Sequence, residues 1–576
     1  MSDGVPGEAG VGDGAASGRA PSGRAPSGGG VSESARALLS QVAADGYGSV
    51  SPSVYETGRL VCAARWLDGH RERVAYLLRS QHPDGSWGAP DGYGLVPTLS
   101  ATDALLSEVD ADEPAVDRGR LLDAVGRGLR VLFGWLGEHQ PASAPDTIAV
   151  EFVVPWLVAE INHRLERRSA DPASGLDAWR GDARLQVPSD VDATVLDRLR
   201  DAARAGRPVP AKIWHSLEVL GADIRHARAV APTDGNLGGS PAATAGWLAG
   251  RPGGHAAAVR YLHTAQARHG GPVSSILPIS VFERAWVLST LASAGVPVAA
   301  PREMVDHLHA TFGEFGVPAG VGLPPDSDDT AAALHALALT GNPRPVDPLW
   351  AYESDSYFHC FIGERTPSTS TNAHILDALL DPGMPRKGRP GAGHRRHAVG
   401  KTVRWLLDRQ ERDGCWWDKW HASPYYATAC CVSALARTGD PAVVPPLRRA
   451  VGWAVDSQRA DGSWGRWQPT VEETAYAVQV LSSAGPAGRT APVGAALARA
   501  GEWLAGQPDD AAQWPPLWHD KDLYTPVAVV RTARIAALHL TARHGAGTMP
   551  PRTVRWPVVR ARHHRHQGLA AGPRPA

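Results

Sequence analysis

Three carboxylates fall within four positions at Asp326-Ser327-Asp328-Asp329, directly after Pro324-Pro325 and at the head of the apolar run Thr330 to Leu339. That run is rich in Ala and Leu and stops at Gly341, which spells a helix, while the two prolines disfavour helix upstream. The carboxylates therefore crowd one helix N-terminus, with Asp328 or Asp329 expected to cap it. Like charges a few ångströms apart cannot all ionise cheaply. At least one pKa rises, and a carboxyl group that keeps its proton at neutral pH can serve as a Brønsted acid. The helix dipole and its free N–H groups favour charge on two of the aspartates while the third holds the proton. A solvated cap chosen for turn propensity would use the same residue types, so the elements around the cluster must decide.

The chain has 576 residues, enough for a large core and for two or three domains. Lys and Arg total 58 against 59 Asp and Glu, a formal charge of −1, which excludes the basic footprint of a nucleic-acid binder. Five cysteines (Cys62, Cys360, Cys415, Cys430, Cys431) include no C-x-x-C pair, which argues against a zinc ribbon or a disulfide framework and fits a reducing, cytoplasmic setting. Apolar stretches such as Val150 to Ile161 are broken by Glu151, Pro155 and Glu160, short of the ~20 residues a membrane span needs. Residues 1–31, with a repeated GRAPSGRAPSG and no apolar signal core, read as a disordered extension, and 556–576 as a basic tail.

Between these ends, Ala/Leu/Val-rich segments of helical period alternate with Gly/Pro/Asp-rich loops, and strand-like alternation is scarce, so the fold is expected to be all-α. Three loops repeat one design: Gln81 to Trp87, Gln410 to Trp416 and Gln458 to Trp464, each Q-x-x-D-G-x-W. Asp-Gly makes a turn, Trp wedges between consecutive helices, and Gln bonds loose backbone groups at a helix end. The motif is structural rather than catalytic. Stacked helix hairpins that close on themselves form an α/α toroid with a central cavity. The first loop lies far upstream of the other two, which predicts two toroids. The Pro/Asp/Arg-rich stretch Arg168 to Pro210 reads as a surface excursion from the first.

The acid cluster and the Trp loops, taken with Ser368-Thr-Ser-Thr-Asn372-Ala-His374, resemble the class II terpene cyclases, and among them the diterpene cyclases that make copalyl-type diphosphates. Further matching segments are Val150 to Pro155, Trp214 to Glu218, Asp234 to Thr244, Pro278 to Trp286 and Phe358 to Glu364. The resemblance implies two α/α barrels, β and γ, with γ (51–289) inserted after the first helix of β (32–50), the rest of β spanning 290–555, and the active site between them. It implies that Asp328 protonates the terminal alkene of geranylgeranyl diphosphate, that Asp326 and Asp329 support it, and that Asn372 hydrogen-bonds and orients it. The product would be a bicyclic copalyl-type diphosphate, foremost the ent isomer, with the diphosphate retained, and a separate class I terpene synthase could consume it.

Protonating an isolated alkene needs an un-ionised acid strengthened by hydrogen bonds, in a cavity that excludes water and offers aromatic faces to cations. His215 matches a histidine that holds a water in plant relatives; Ser274 or Ser275 stands where its partner asparagine would be. A retained diphosphate calls for cations and Mg²⁺. The resemblance makes Glu151 the metal candidate, with Asp146 a second ligand. Lys419, Arg284 and Lys521 are candidates for the diphosphate, each equally suited to a structural ion pair. A squalene-hopene-type cyclase is the nearest alternative, followed by a different labdane- or halimane-type product. The chain lacks the D-D-x-x-D pattern of ionisation-initiated synthases and a credible Zn ligand set; a toroidal glycosidase, whose paired carboxylates flank a sugar, is a rival from another class.

Overall fold

Ser, Thr and Asp recur just before the apolar runs, and in the computed structural model of the chain they become helix caps. Ser53, Ser240, Asp326, Ser368, Ser423 and Thr470 each accept a hydrogen bond from a backbone N–H two or three residues on. The cap of the acidic helix is thus Asp326, ahead of the positions expected. The structure describes residues 28–137, 143–169, 176–179, 184–251, 255–364, 366–381, 391–546 and 556–559. Most of the terminal extension and all of the tail from Arg560 lie outside them.

Six helices, Ser280–Ala294, Ser327–Leu339, Thr369–Leu380, Pro424–Thr438, Val471–Ser483 and Val527–Gly545, pack in sequence, and the last returns against the first to close a ring. Gly28–Ala44, Arg302–Thr311, Ala392–Asp408, Val444–Asp456 and Ala491–Gly506 pack outside it. A second ring closes from Val54–Ala63, Leu95–Val109, Val150–Ser169, the 3₁₀ segment Ala211–His226 and Pro241–Ala249. It is backed by His70–Arg79, Arg118–Leu136, Thr194–Arg204 and Ala256–Ala267. Among the described residues strand is confined to short pairs, of which the antiparallel hairpin Trp518–His519/Leu523–Tyr524 reaches the space between the two rings. Among the described residues no helix is long and apolar enough to cross a membrane.

Two hydrophobic cores correspond to the two rings. One gathers Val31 to Val50 and Ile279 to Trp556; the other gathers Tyr55 to Leu277. The chain therefore starts in the first ring, leaves after Val50, builds the whole second ring and returns at Ile279. This moves the expected boundary at 289/290 upstream: the helix Ser280–Ala294 buries Phe282, Trp286, Leu288 and Leu291 in the first core, so it belongs there entirely. The first helix likewise begins at Gly28 rather than at residue 32. The stretch from Arg168 is not all excursion either, since Thr194–Arg204 buries Leu196, Leu199 and Ala203 against the second ring.

The three Trp loops adopt one geometry. Gln81, Gln410 and Gln458 each donate from Nε2 to the glycine carbonyl of their own loop and to a carbonyl of the next outer helix, Ala124, Pro446 and Ala496 respectively. The indole N–H groups of Trp87, Trp416 and Trp464 donate to Leu77, Leu406 and Ala454 at 2.7–2.8 Å, with each ring fully buried. Gly462 sits at φ 91° with its Cα against the backbone of Arg499, so a side chain there would meet both strain and backbone. Each loop pins one hairpin to the next without touching the cavity. Trp464→Ala should lower unfolding free energy by about 3–5 kcal/mol, and Trp464→Phe by about 1–2 kcal/mol for the lost indole bond, in urea titrations of the two variants.

Candidate active site

Asp326 and Asp329 are buried at the start of the helix Ser327–Leu339, where Asp326 Oδ1 accepts the backbone N–H of Asp329 at 2.8 Å. Asp328 turns the other way, and His374 Nδ1 donates to its Oδ1 at 2.7 Å. Burial, with the charge of Asp328 adding to it, pushes the Asp326 carboxyl up to about 7. Burial and then both neighbouring aspartates hold Asp329 well above the ordinary carboxylate range, and its Oδ1 has no partner. Burial works against charge on His374, but Asp328 beside it outweighs that and raises the imidazole well above its usual value. The arrangement keeps protons on a carboxyl cluster at neutral pH and aims an imidazolium at the one member, Asp328, that points away from the other two.

His374 is held from behind. Asp418 Oδ1 accepts from Ser368 Oγ and from the backbone N–H groups of Thr369 and Ser370, and its Oδ2 accepts from Ser370 Oγ and the N–H of Trp420. One carboxylate thus caps the helix that carries His374 and fixes the segment that carries Lys419 and Trp420.

All three aspartates line a cavity of about 420 Å³ between the two rings, the size of a small-molecule site. Its walls come from the N-terminal ends of inner helices on both sides. Phe282, Trp286, Phe361, Trp420, Trp518 and Tyr524 line it from the first ring, and Ile148, Phe152 and Ile213 from the second. From His374 the aromatic rings run on through Trp286 at 5.1 Å and Phe282 at 4.3 Å to Trp518 at 5.4 Å. A proton source at one end of an apolar chamber, followed by stacked aromatic faces, can create a carbocation and shelter it as it moves.

The mouth of the cavity is polar. Asp146, Glu151, Lys212, Glu364 and Lys419 stand around it. Lys419 pairs with Glu364 and donates to the Thr366 carbonyl at 2.8 Å. Burial raises the Asp146 carboxyl; Lys419 opposes the rise, and Asp418 and Glu151 add to it. Ala149, at φ 58°, turns the chain between Asp146 and Glu151 so that both reach one rim. Among the described residues no cluster of three or more His, Cys, Asp or Glu could hold a metal alone. Mg²⁺ needs only one or two protein carboxylates when phosphate oxygens and water complete its shell, so this pair of hard donors fits it.

Other expected site residues lie elsewhere. Asn372 does not reach the acid: its amide bonds the N–H and carbonyl of Phe358 and the carbonyl of Ser368, because positions 372 and 374 face opposite sides of one helix. Arg284 is off the cavity and donates to the carbonyls of Ala43 and Asp45, tying the chain as it leaves the first helix. Lys521 is fully buried. Its Nζ meets Glu56, Glu218 at 2.9 Å, Ser240 at 2.9 Å and the His215 carbonyl at 2.8 Å, a cluster that locks the two rings together. His215 does line the cavity, where Nδ1 donates to the Gly238 carbonyl at 2.7 Å and Nε2 faces Asp520 Oδ1 at 2.7 Å. Burial opposes charge there and Asp520 outweighs it, so the His215 pKa is raised, which suits an ion pair better than a free base. Neither Ser274 nor Ser275 lines the cavity, and Ser274 Oγ is engaged by the Val50 carbonyl and His269. His374, Asp418, Lys212 and Asp520 were not singled out by the sequence. His374 was legible only through helix phase, two places past Asn372.

Residues 366–514 match the family model of the squalene-hopene cyclase C-terminal domain. The chain is 48% identical to an ent-copalyl diphosphate synthase of Streptomyces sp. (strain KO-3988), over 88% of this chain and 96% of that one. It is 41% identical to a copalyl diphosphate synthase of Streptomyces cyslabdanicus, over 88% and 95%. Its fold matches that of ent-copalyl diphosphate synthase from Streptomyces platensis with a TM-score of 0.83 and 47% identity, covering 89% of this chain and 99% of that one.

A raised carboxyl pKa keeps the acid form up to the new value and loses it above. Turnover that draws its proton from this cluster should be flat below about pH 7 and fall about tenfold per pH unit above it, in initial rates measured from about pH 5.5 to about pH 9.

Proposed function

Because the chain belongs to the bacterial class II diterpene cyclases, we propose that it cyclises geranylgeranyl diphosphate by protonation to a bicyclic copalyl diphosphate of the ent series, with the diphosphate retained. The observation that carries the mechanism is the contact of His374 with Asp328 at the wall of an aromatic cavity. Asp328 delivers the proton to the terminal alkene. The imidazole on Oδ1 stabilises the carboxylate that remains after transfer, while Asp326 and Asp329 hold further protons. The tertiary cation is then attacked by the next double bond and that one by the next. Each closure forms one C–C bond from a π pair and moves the vacancy further from Asp328.

At the mouth, Lys419 and Lys212 meet the diphosphate, and Asp146 and Glu151 would hold Mg²⁺, which screens its charge. This charged rim favours a diphosphate over a neutral triterpene such as squalene. The last proton leaves near His215 and Asp520, on the second-ring wall. The product keeps its diphosphate and so suits a separate ionising synthase, and the enzyme works in the cytoplasm.

Incubation with geranylgeranyl diphosphate and Mg²⁺, then phosphatase, should yield a bicyclic alcohol whose chiral comparison gives the ent isomer. Asp328→Asn, which keeps shape and removes the transferable proton, should lower turnover about 10³-fold with substrate affinity little changed. Normal turnover in that variant, or linear geranylgeraniol alone from the parent protein, contradicts the reading.

A further inference from the structure

Glu472 lies in the first turn of the helix Val471–Ser483, buried behind the cavity wall and apart from the acid cluster. Its Oε1 accepts the indole N–H of Trp518 at 2.7 Å. His421 Nδ1 lies 3.0 Å from the backbone N–H and 3.1 Å from the carbonyl of Ser423, and its Nε2 lies 3.3 Å from the same carboxylate oxygen. Glu472 Oε2 is buried with no partner, and among the described residues no Lys or Arg pairs with this side chain. A carboxylate so placed is costly to bury. Trp518 itself lines the cavity. The other cavity tryptophan near the acid, Trp286, gives its N–H to a neutral group, the hydroxyl of Tyr426 at 3.1 Å. The two indoles thus differ in the group behind them, a hydroxyl behind Trp286, which touches His374, and a carboxylate behind Trp518, which lies beyond Phe282.

We propose that Glu472 is a positioning residue for the ring closures: acting through the Trp518 indole, it draws positive charge away from the acid end and so commits the cation to the second ring. An N–H donated to a carboxylate enriches the indole face that a cation meets, and the carboxylate's own field adds to it in a site of low dielectric. The inference rests on the cyclase reading above. Glu472→Gln keeps shape and an acceptor for the indole but removes the charge. With geranylgeranyl diphosphate, Mg²⁺ and phosphatase, turnover of this variant should fall about tenfold with KM nearly unchanged, and monocyclic alcohols should become a major share of the product. Trp518→Phe should give the same shift, and the double variant should be no worse than Trp518→Phe alone. Parental turnover and products in a folded Glu472→Gln protein, or additive losses in the double variant, overturn the inference. Should Glu472→Gln fail to fold, Trp518→Phe decides: bicyclic alcohol alone at the parental rate overturns it. These outcomes concern variants only; a parent that leaves the linear alcohol overturns the cyclase reading itself.

Discussion

The contact between His374 and Asp328 is the interaction on which the site depends. Three carboxyls at one helix end would otherwise repel each other or take up protons too firmly to give them away. Burial supplies the firmness for Asp326 and Asp329, while Asp328 meets the imidazole of His374. The cluster therefore divides into two buried members that hold protons and one that faces the imidazole. That division needs His374 at a fixed distance, and Asp418 secures it by capping the helix on which His374 rides.

The two rings exist, in this light, to keep that contact dry. The inner-helix ends of both rings meet at one cavity, and the hairpin Trp518–Tyr524 crosses from the first ring into the second along its wall. At the tip of the hairpin, Asp520 engages His215, Lys521 joins Glu56 and Glu218, and Asp522 accepts from Ser53 and the N–H of Tyr55. The aromatic wall and the anchor between the rings are thus parts of one short hairpin. A cation formed against Trp286 has aromatic faces ahead of it and a charged mouth where the diphosphate stays.

Much of this was legible locally. The acid cluster is contiguous in sequence, and each Trp loop carries its own turn, wedge and clamp within a few residues, so pattern and chemistry could be read together. What escaped depends on distant partners or on helix phase. Lys521 reads equally as a diphosphate ligand or an ion-pair member until Glu218, 303 positions upstream, is brought against it. Arg284 reads as a ligand until the chain leaving the first helix passes over it. Asn372 and His374 both stand in the matching segment, and only the placement of the cap at Ser368 decides which of them turns toward the acid. The boundary at 277–279 was missed because an apolar helix gives no sign of which of two cores it fills.

A carboxyl proton, exchangeable with solvent, is proposed to start the reaction by joining carbon while the diphosphate stays in place. Turnover of geranylgeranyl diphosphate in deuterated water tests it most directly. The expected product is a bicyclic diphosphate carrying a single deuterium on the first-ring methylene next to the carbon that bears the paired methyls. A bicyclic product without deuterium at that methylene, or one formed with release of diphosphate, would contradict it.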